Sequence, residues 1–376
     1  MRIRRTVAVT ALAAALTAAL VTGPPETAAA SAFAEVPSSA SAFAEVPSSA
    51  PAASGTGTAL AEPRPVYGGN FPDPAVARSG SQYVAVATGA LGPLLTAPTA
   101  RGPWTYRHAA LTRLPTWSSG GGIWAPEIQH VRGDTWVMFY AAKVTGLVDG
   151  NQRCIGVAVS TGGAAGRYTP VDRRPLVCPP GSDHPGASAP VTGGVGFIDP
   201  SVFTARDGRH VLLFKSQKPN PGTKLWSLEL NADWTAPVGS SDVLLSRARG
   251  QIENPHMVVR DGAYYLFASW NNWADCSYRT VWLKNAWPRA GWSYPDGFPG
   301  TTTSRGGTLI ASRDGLCGPG GLVTTWQDGN VDFFLHAYRD ADRDGVRDSS
   351  VRRLYAGRLG WTSAGVPRIA SFFSPS

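Results

Sequence analysis

One pattern, written five times, limits what this chain can fold into. Each copy opens on an apolar or aromatic residue, brings in a proline, runs through a short β-rich stretch to a turn, and returns on a strongly β run. The copies are FPDPAVARSGSQYVAVAT from Phe71, WAPEIQHVRGDTWVMFYAA from Trp124, FIDPSVFTARDGRHVLLFKS from Phe197, IENPHMVVRDGAYYLFASW from Ile252 and CGPGGLVTTWQDGNVDFFLHAY from Cys317. Aligned on prolines 74, 126, 200, 255 and 319, they stand 52, 74, 55 and 64 residues apart. Their turns coincide at Ser79-Gly80, Gly133-Asp134, Asp207-Gly208, Asp261-Gly262 and Asp328-Gly329, dipeptides suited to joining hairpin strands. Strand-like runs at 154–160, 224–230 and 351–359 follow the hairpins. Three or four short strands in each repeat, five times over and with no helical period between them, predict an all-β chain folded as a five-bladed β-propeller. A β-sandwich would need fewer, unrelated strands. The composition agrees, with 43 Gly, 31 Pro, 13 Trp and only 16% charged residues.

The segment before the repeats reads as export machinery and spacer. Arg2, Arg4 and Arg5 precede an apolar run at 6–21 that is short for a membrane span, and Ala28-Ala29-Ala30 offers a cleavage site. A signal peptide over 1–30 is the reading, with an uncleaved anchor as the alternative. The Arg4-Arg5 pair lacks the residues that usually follow it in twin-arginine signals. Residues 31–50 are one decapeptide written twice, and the chain stays Ala/Ser/Pro/Gly-rich to residue 62. Such a segment buries too little apolar surface to order itself, so 31–62 is a flexible leader and the propeller occupies 63–376. A secreted, extracellular, monomeric protein is expected, off the membrane once the signal is cut. Four cysteines in an exported chain suggest two disulfides; proximity favours Cys154–Cys178 and Cys276–Cys317 among three possible pairings. No C-x-x-C supports a structural zinc site. Of 34 basic and 26 acidic residues, residues 1–62 hold only three Arg and four Glu, so the remainder is net +9. Without a basic run or a nucleic-acid motif, that charge describes a basic surface and not a nucleic-acid reader.

The repeat also locates a site. In a propeller the first strand of each blade lines the central axis, so an acid beside its proline points into a shared funnel. Asp73, Asp199 and Glu253 are such acids. Glu127 follows its proline and is expected on the other face of the strand, while Gly318 and Gly320 leave room in the fifth copy. One Asp-Pro is an ordinary turn feature. Three acids at corresponding places in three blades suit glycosidic cleavage, which needs two carboxyl groups in opposed roles. Their mutual repulsion raises at least one pKa and keeps a proton available. Trp124, Trp270 and Trp273 lie near strand ends that could open on the funnel and stack on sugar rings; the alternative is core packing.

At these residues the chain resembles glycoside hydrolase family 43, the arabinanase, α-L-arabinofuranosidase and β-xylosidase group. The resemblance covers about 66–370 and rests on PDP with Asp73, WAPE from Trp124, IDPSVF with Asp199 and ENPH with Glu253. It implies that Asp73 is the general base acting on water, that Asp199 tunes and orients the acid, and that Glu253 is the proton donor. It also implies inversion at the anomeric carbon and no organic cofactor. The substrate expected is a plant cell-wall polysaccharide or oligosaccharide, with arabinofuranosyl ahead of xylosyl units, met by Trp124, His256 and Trp270. His336, in FFLHAY, matches the place from which many members hold an axial metal ion, calcium or similar. Asp340, Asp342 and Asp344 with Gly345 begin like a calcium loop, but Val351 stands at its twelfth position, and a solvated hairpin tip is the preferred reading. Fructan-cleaving propellers are the nearest rival; their Asn-Asp-Pro, Arg-Asp-Pro and Glu-Cys motifs differ from Pro72-Asp73-Pro74, Ile198-Asp199-Pro200 and Glu253-Asn254-Pro255. A non-catalytic sugar-binding propeller would be expected to have lost one of the three acids.

Overall fold

The structure, a computed structural model, describes residues 62–171, 173–217 and 222–376. The signal peptide and all but the last residue of the leader lie outside the described residues. Twenty strands form five four-stranded antiparallel sheets, each a simple meander in chain order. The five innermost strands are β1 (Ala75–Ser79), β5 (Ile123–Arg132), β9 (Phe197–Thr204), β13 (Ile252–Arg260) and β17 (Leu316–Gln327). No helix occurs among the described residues.

The second strand of each blade explains why the sheets close into a ring. In β6 (Thr135–Lys143) every residue from Trp136 to Ala142 is buried, yet successive side chains point to opposite faces. Trp136, Met138 and Tyr140 join a core with the first blade. Val137 and Phe139 join a core with the third. The same division recurs in β14 (Ala263–Trp270), where Tyr264, Leu266, Ala268 and Trp270 face the third blade while Tyr265 and Phe267 face the fifth. Five apolar clusters result, one between each neighbouring pair of blades. The cluster joining first and last blades gathers Phe71, Tyr83 and Trp104 against Phe334, Leu354 and Phe373. The incoming chain adds backbone bonds there, from Val66 N–H to Leu354 O at 2.8 Å and from Phe71 N–H to Arg352 O at 2.7 Å.

The hairpins lie where the turn residues place them. Asp261-Gly262 and Asp328-Gly329 each connect two strands with no other residue between, all four with positive φ, the mirror-image turn that matches strand twist. Both disulfides form as read: Cys154–Cys178, with Cα atoms 4.8 Å apart, and Cys276–Cys317, at 4.6 Å.

The prolines need one correction. Pro126, Pro200 and Pro255 sit at a break in the innermost strand, and Pro74 stands immediately ahead of β1, because proline lacks the N–H a ladder needs. The residue before each has a left-handed φ: Asp73 51°, Ala125 41°, Asp199 56° and Asn254 47°. In the fifth blade the equivalent pair is Gly321-Leu322, with Gly321 at φ 59° and flanked by the pairs Gly320↔His336 and Val323↔Phe334. Pro319 lies three residues too early. A Cβ on Gly321 would come within 2.9 Å of the His336 ring, so glycine is required there for space as well as for backbone.

Candidate active site

In the second to fifth blades the break is a bulge in the innermost strand, and in the first Asp73-Pro74 stand immediately ahead of β1; in each case side chains are aimed at the axis. Asp199 occupies the bulge position itself and Asp73 the matching place ahead of β1, where an aspartate tolerates the left-handed conformation better than most residues. Glu253 stands one residue earlier; its register partner is Ser269, as Ala141 is for Trp124 and Lys215 for Ile198. The three acids therefore arrive from different blades, but Glu253 occupies a different strand position from the aspartates. They converge in one cavity of about 450 Å³, whose lining includes Thr88, Trp124, Asn151, Lys215, Gln217, Gln251, Trp273 and Arg352.

Their environments differ in sign. Asp73 Oδ1 takes a 3.0 Å ion pair from Arg352 Nη1, and Oδ2 accepts from the Thr88 hydroxyl at 2.8 Å. Burial works to raise its pKa, but Arg352, His336 and Thr88 together outweigh that and hold it below the ordinary carboxylate value. Thr88 also accepts from the Ala125 N–H at 2.8 Å, tying the first blade's acid to the second blade's bulge. Asp199 is 7% exposed. Burial, opposed by Lys215 and reinforced by Glu253 and Asp73, pushes its pKa up to about 7. Its Oδ2 accepts the Asn254 N–H at 3.1 Å. Glu253 is buried too, with Lys215 Nζ 2.5 Å from Oε2 and the Tyr278 hydroxyl donating to Oε1 at 2.8 Å. One mouth thus holds Asp73, kept ionised by its partners, and Asp199, kept protonated by burial up to about pH 7, with Glu253 in the same cavity.

Not every residue expected at this mouth is there. Trp124 lines the cavity, with the Arg153 guanidinium 3.2 Å from its ring centroid. Trp273 lines it as well and is 42% exposed. Trp270 does not: alternation along β14 turns it into the core between the third and fourth blades, against Tyr294 and Phe298. His256 lies beyond the bulge, in a second cavity with Glu127, His130 and Trp326, where Nε2 bonds the Thr324 hydroxyl at 2.9 Å. Glu127 faces the axis and not the back of its strand, because the bulge at Ala125 resets the alternation; it lines a small cavity with Asp73 and Asp199 and also the cavity that holds His256. Burial raises its pKa to about 8.

His336 is fully buried. Its Nδ1 accepts the Asp73 N–H at 2.9 Å, and burial first, then Arg352, lowers its pKa to about 3, so the ring is neutral. Nε2 has no partner. That orphaned atom is the one an ion would take, but a neutral ring that accepts at Nδ1 carries its proton on Nε2. A cation there requires the other tautomer and competes with the Asp73 bond. The cluster with three potential metal ligands among the described residues is elsewhere: Asp340, Asp342 and Asp348, in the connection from β18 (Asn330–Arg339) to β19 (Arg353–Trp361), each offer an oxygen within 4.8 Å of the others. Asp340 is occupied by the N–H groups of Asp344 and Gly345, and the loop is the solvated hairpin tip that was expected.

Sequence reasoning missed Lys215, Tyr278, Thr88 and Arg352. A lysine inside the apolar run VLLFKS was a signal; the other three carry none.

Comparison with known proteins follows the same line. The family model described as "Glycosyl hydrolases family 43" matches residues 63–367. The chain is 28% identical over 307 residues to an extracellular endo-alpha-(1->5)-L-arabinanase of Bacillus subtilis, covering 77% of this chain and 85% of that one. It is 27% identical over 323 residues to an extracellular exo-alpha-(1->5)-L-arabinofuranosidase of Cellvibrio japonicus, covering 79% and 85%. Among solved structures it superposes on a thermostable family-43 glycoside hydrolase with a TM-score of 0.66 at 20% identity, covering 84% and 97%. On the Cellvibrio cellulosa alpha-L-arabinanase complexed with arabinohexaose it gives 0.60 at 22%, covering 80% and 95%. At those identities the structures speak for the fold.

Proposed function

The chain belongs to family 43 of the glycosyl hydrolases, and from that membership and the site's electrostatics we propose that it cleaves α-L-arabinofuranosyl linkages in arabinan or arabinoxylan, outside the cell and as a monomer, with inversion. The observation that carries the mechanism is the opposed setting of the acids: Arg352 and Thr88 hold Asp73 ionised, while burial keeps a proton on Asp199 beside Glu253. Asp73 takes a proton from water as the water attacks the anomeric carbon. Glu253 gives its proton to the departing oxygen. Asp199 keeps the neighbourhood of Glu253 from filling with negative charge below about pH 7. The relatives named for arabinan-cleaving activities support the choice of sugar.

A metal remains part of the proposal. His336 would hold a calcium-like ion through Nε2 only in the tautomer that frees that nitrogen at the expense of the Asp73 N–H bond, with water completing the shell, and the ion would supply positive charge to the site.

The test is product analysis on linear arabinan, branched arabinan and xylan, with the anomer formed first followed by NMR. Arabinose or arabino-oligosaccharides of inverted configuration are expected, and Asp73→Ala should nearly abolish turnover even of 4-nitrophenyl α-L-arabinofuranoside. Retained configuration overturns the mechanism. Xylose release without arabinose release moves the substrate to the β-xylosidase reading, and no hydrolysis of any glycoside would leave a sugar-binding propeller.

A further inference from the structure

Resting on the reading of Glu253 as proton donor, we propose that Lys215 is a positioning residue for that donor: it orients the Glu253 carboxyl and balances the charge left there when the proton departs. Lys215 belongs to β10 (His210–Ser216), in a strand otherwise buried and mostly apolar, and its side chain is 1% exposed. A lysine so deep in a protein is rare unless paired. Its Nζ lies 2.5 Å from Glu253 Oε2 and 3.4 Å from Gln251 Oε1. The pairing crosses between blades, from the second strand of the third to the first strand of the fourth.

The groups around Glu253 leave this role to Lys215. Tyr278, from the loop between β14 and β15 (Arg279–Asn285), donates to Oε1 and accepts from Asn254 Nδ2 at 3.1 Å. Asp73, ahead of β1, brings negative charge, and Asp199, from β9, brings a carboxyl that keeps its proton below about pH 7. Arg352 is engaged with Asp73, and Arg247 with the Gln251 carbonyl and the Trp270 ring. Among the described residues, Lys215 is the cation bonded to Glu253.

The chemistry gives the contact its direction. Lys215 holds Oε2 and the Tyr278 hydroxyl donates to Oε1, so the proton to be delivered rides on Oε1 and Tyr278 gives up its bond there when Glu253 is protonated. That proton passes to the glycosidic oxygen as the bond from that oxygen to the anomeric carbon breaks, the electron pair staying on oxygen. Water supplies the new hydroxyl, and its proton goes to Asp73. Lys215 neither gains nor loses a proton. A hydrogen bond from an ammonium to a carboxylate is stronger than one to a neutral carboxyl, so the contact tightens as the reaction proceeds, which is the condition for lowering the barrier instead of merely binding substrate.

The experiment compares Lys215→Met, which keeps length and removes charge, with Lys215→Arg, which keeps charge, on an unactivated α-1,5-linked arabino-oligosaccharide and on 4-nitrophenyl α-L-arabinofuranoside. Expected for Lys215→Met is a loss in kcat of about a hundredfold on the oligosaccharide but less than about tenfold on the nitrophenyl substrate, whose leaving group needs little protonation. KM should stay near the wild-type value, and Lys215→Arg should recover part of the loss. Lys215→Met added to Glu253→Gln should cost little beyond Glu253→Gln alone; the double variant leaves no unpaired buried carboxylate and carries the test if the single variant fails to fold. Equal losses on both substrates, a loss confined to KM, or additive losses in the double variant overturn the proposal. If Glu253→Gln itself shows no dependence on leaving group, the donor assignment fails and this proposal falls with it; a normal Glu253→Gln pattern with additive Lys215→Met condemns the role of Lys215 alone.

Discussion

Replacing Asp199 by Asn should flatten the pH dependence of stability over one defined window. The Asp199 pKa is about 7 in the folded chain against an ordinary 3.8, a raised acid. Between those values the folded state holds a proton that the unfolded state has released, so stability falls as pH rises. The contribution is complete below about 3.8, is lost progressively up to about 7, and is level above. About three pKa units at 1.36 kcal/mol each put the loss at about 4 kcal/mol, and 7% exposure leaves little solvent to screen it. For a domain of this size, that corresponds to a Tm change of roughly 6 °C. Calorimetry of wild type and Asp199→Asn from pH 4 to pH 8 should show wild type losing that much more than the variant, all of it below about pH 7. Glu127, whose raised pKa of about 8 acts in the same direction, is present in both proteins and cancels in the difference. Parallel curves, or a wild type that gains on the variant as pH rises, would refute the assignment of a buried, proton-retaining Asp199.

Trp273→Ala should raise KM for arabino-oligosaccharides about fivefold, the worth of one aromatic face at about 1 kcal/mol, with kcat and Tm nearly unchanged because the ring is 42% exposed; steady-state kinetics with a melting curve checks it. The Cys276–Cys317 bridge spans 41 residues and ties the loop carrying Trp273 and Tyr278 to the innermost strand of the fifth blade, so replacing both cysteines by Ser should cost about 4 kcal/mol of stability and reduce activity on unactivated substrates, read by melting and by product yield. If His336 holds an axial ion, exhaustive chelation should lower activity or Tm and an added divalent ion should restore it, with the metal visible by elemental analysis; unchanged activity and stability would remove the ion from the site.

The five-fold repeat and its turns were enough to specify blade number, hairpin positions and the strands that line the axis, because proline, glycine and period-two alternation act on neighbours along the chain. The same local signals picked out Asp73, Asp199 and Glu253. Proximity paired the cysteines correctly, since both bridges close within the order of the blades. What eluded a linear reading depended on where the bulges fall and on which residues meet across blades. A one-residue break in a strand reverses the facing of everything after it, so Glu127 came to the axis and His256 passed to a second cavity. In the fifth blade the break settled at Gly321, where the buried His336 ring admits no Cβ, and not at the proline that local spacing singled out. Trp270 went into a core because a second strand between two blades has no free face. Arg352, Thr88, Lys215 and Tyr278 reach the acids from 15 to 279 residues away. Their charges and hydroxyls set which carboxyl is ionised and which keeps its proton. Those energies depend on distances of a few ångströms and on exclusion of water, and both come into being only when the ring closes.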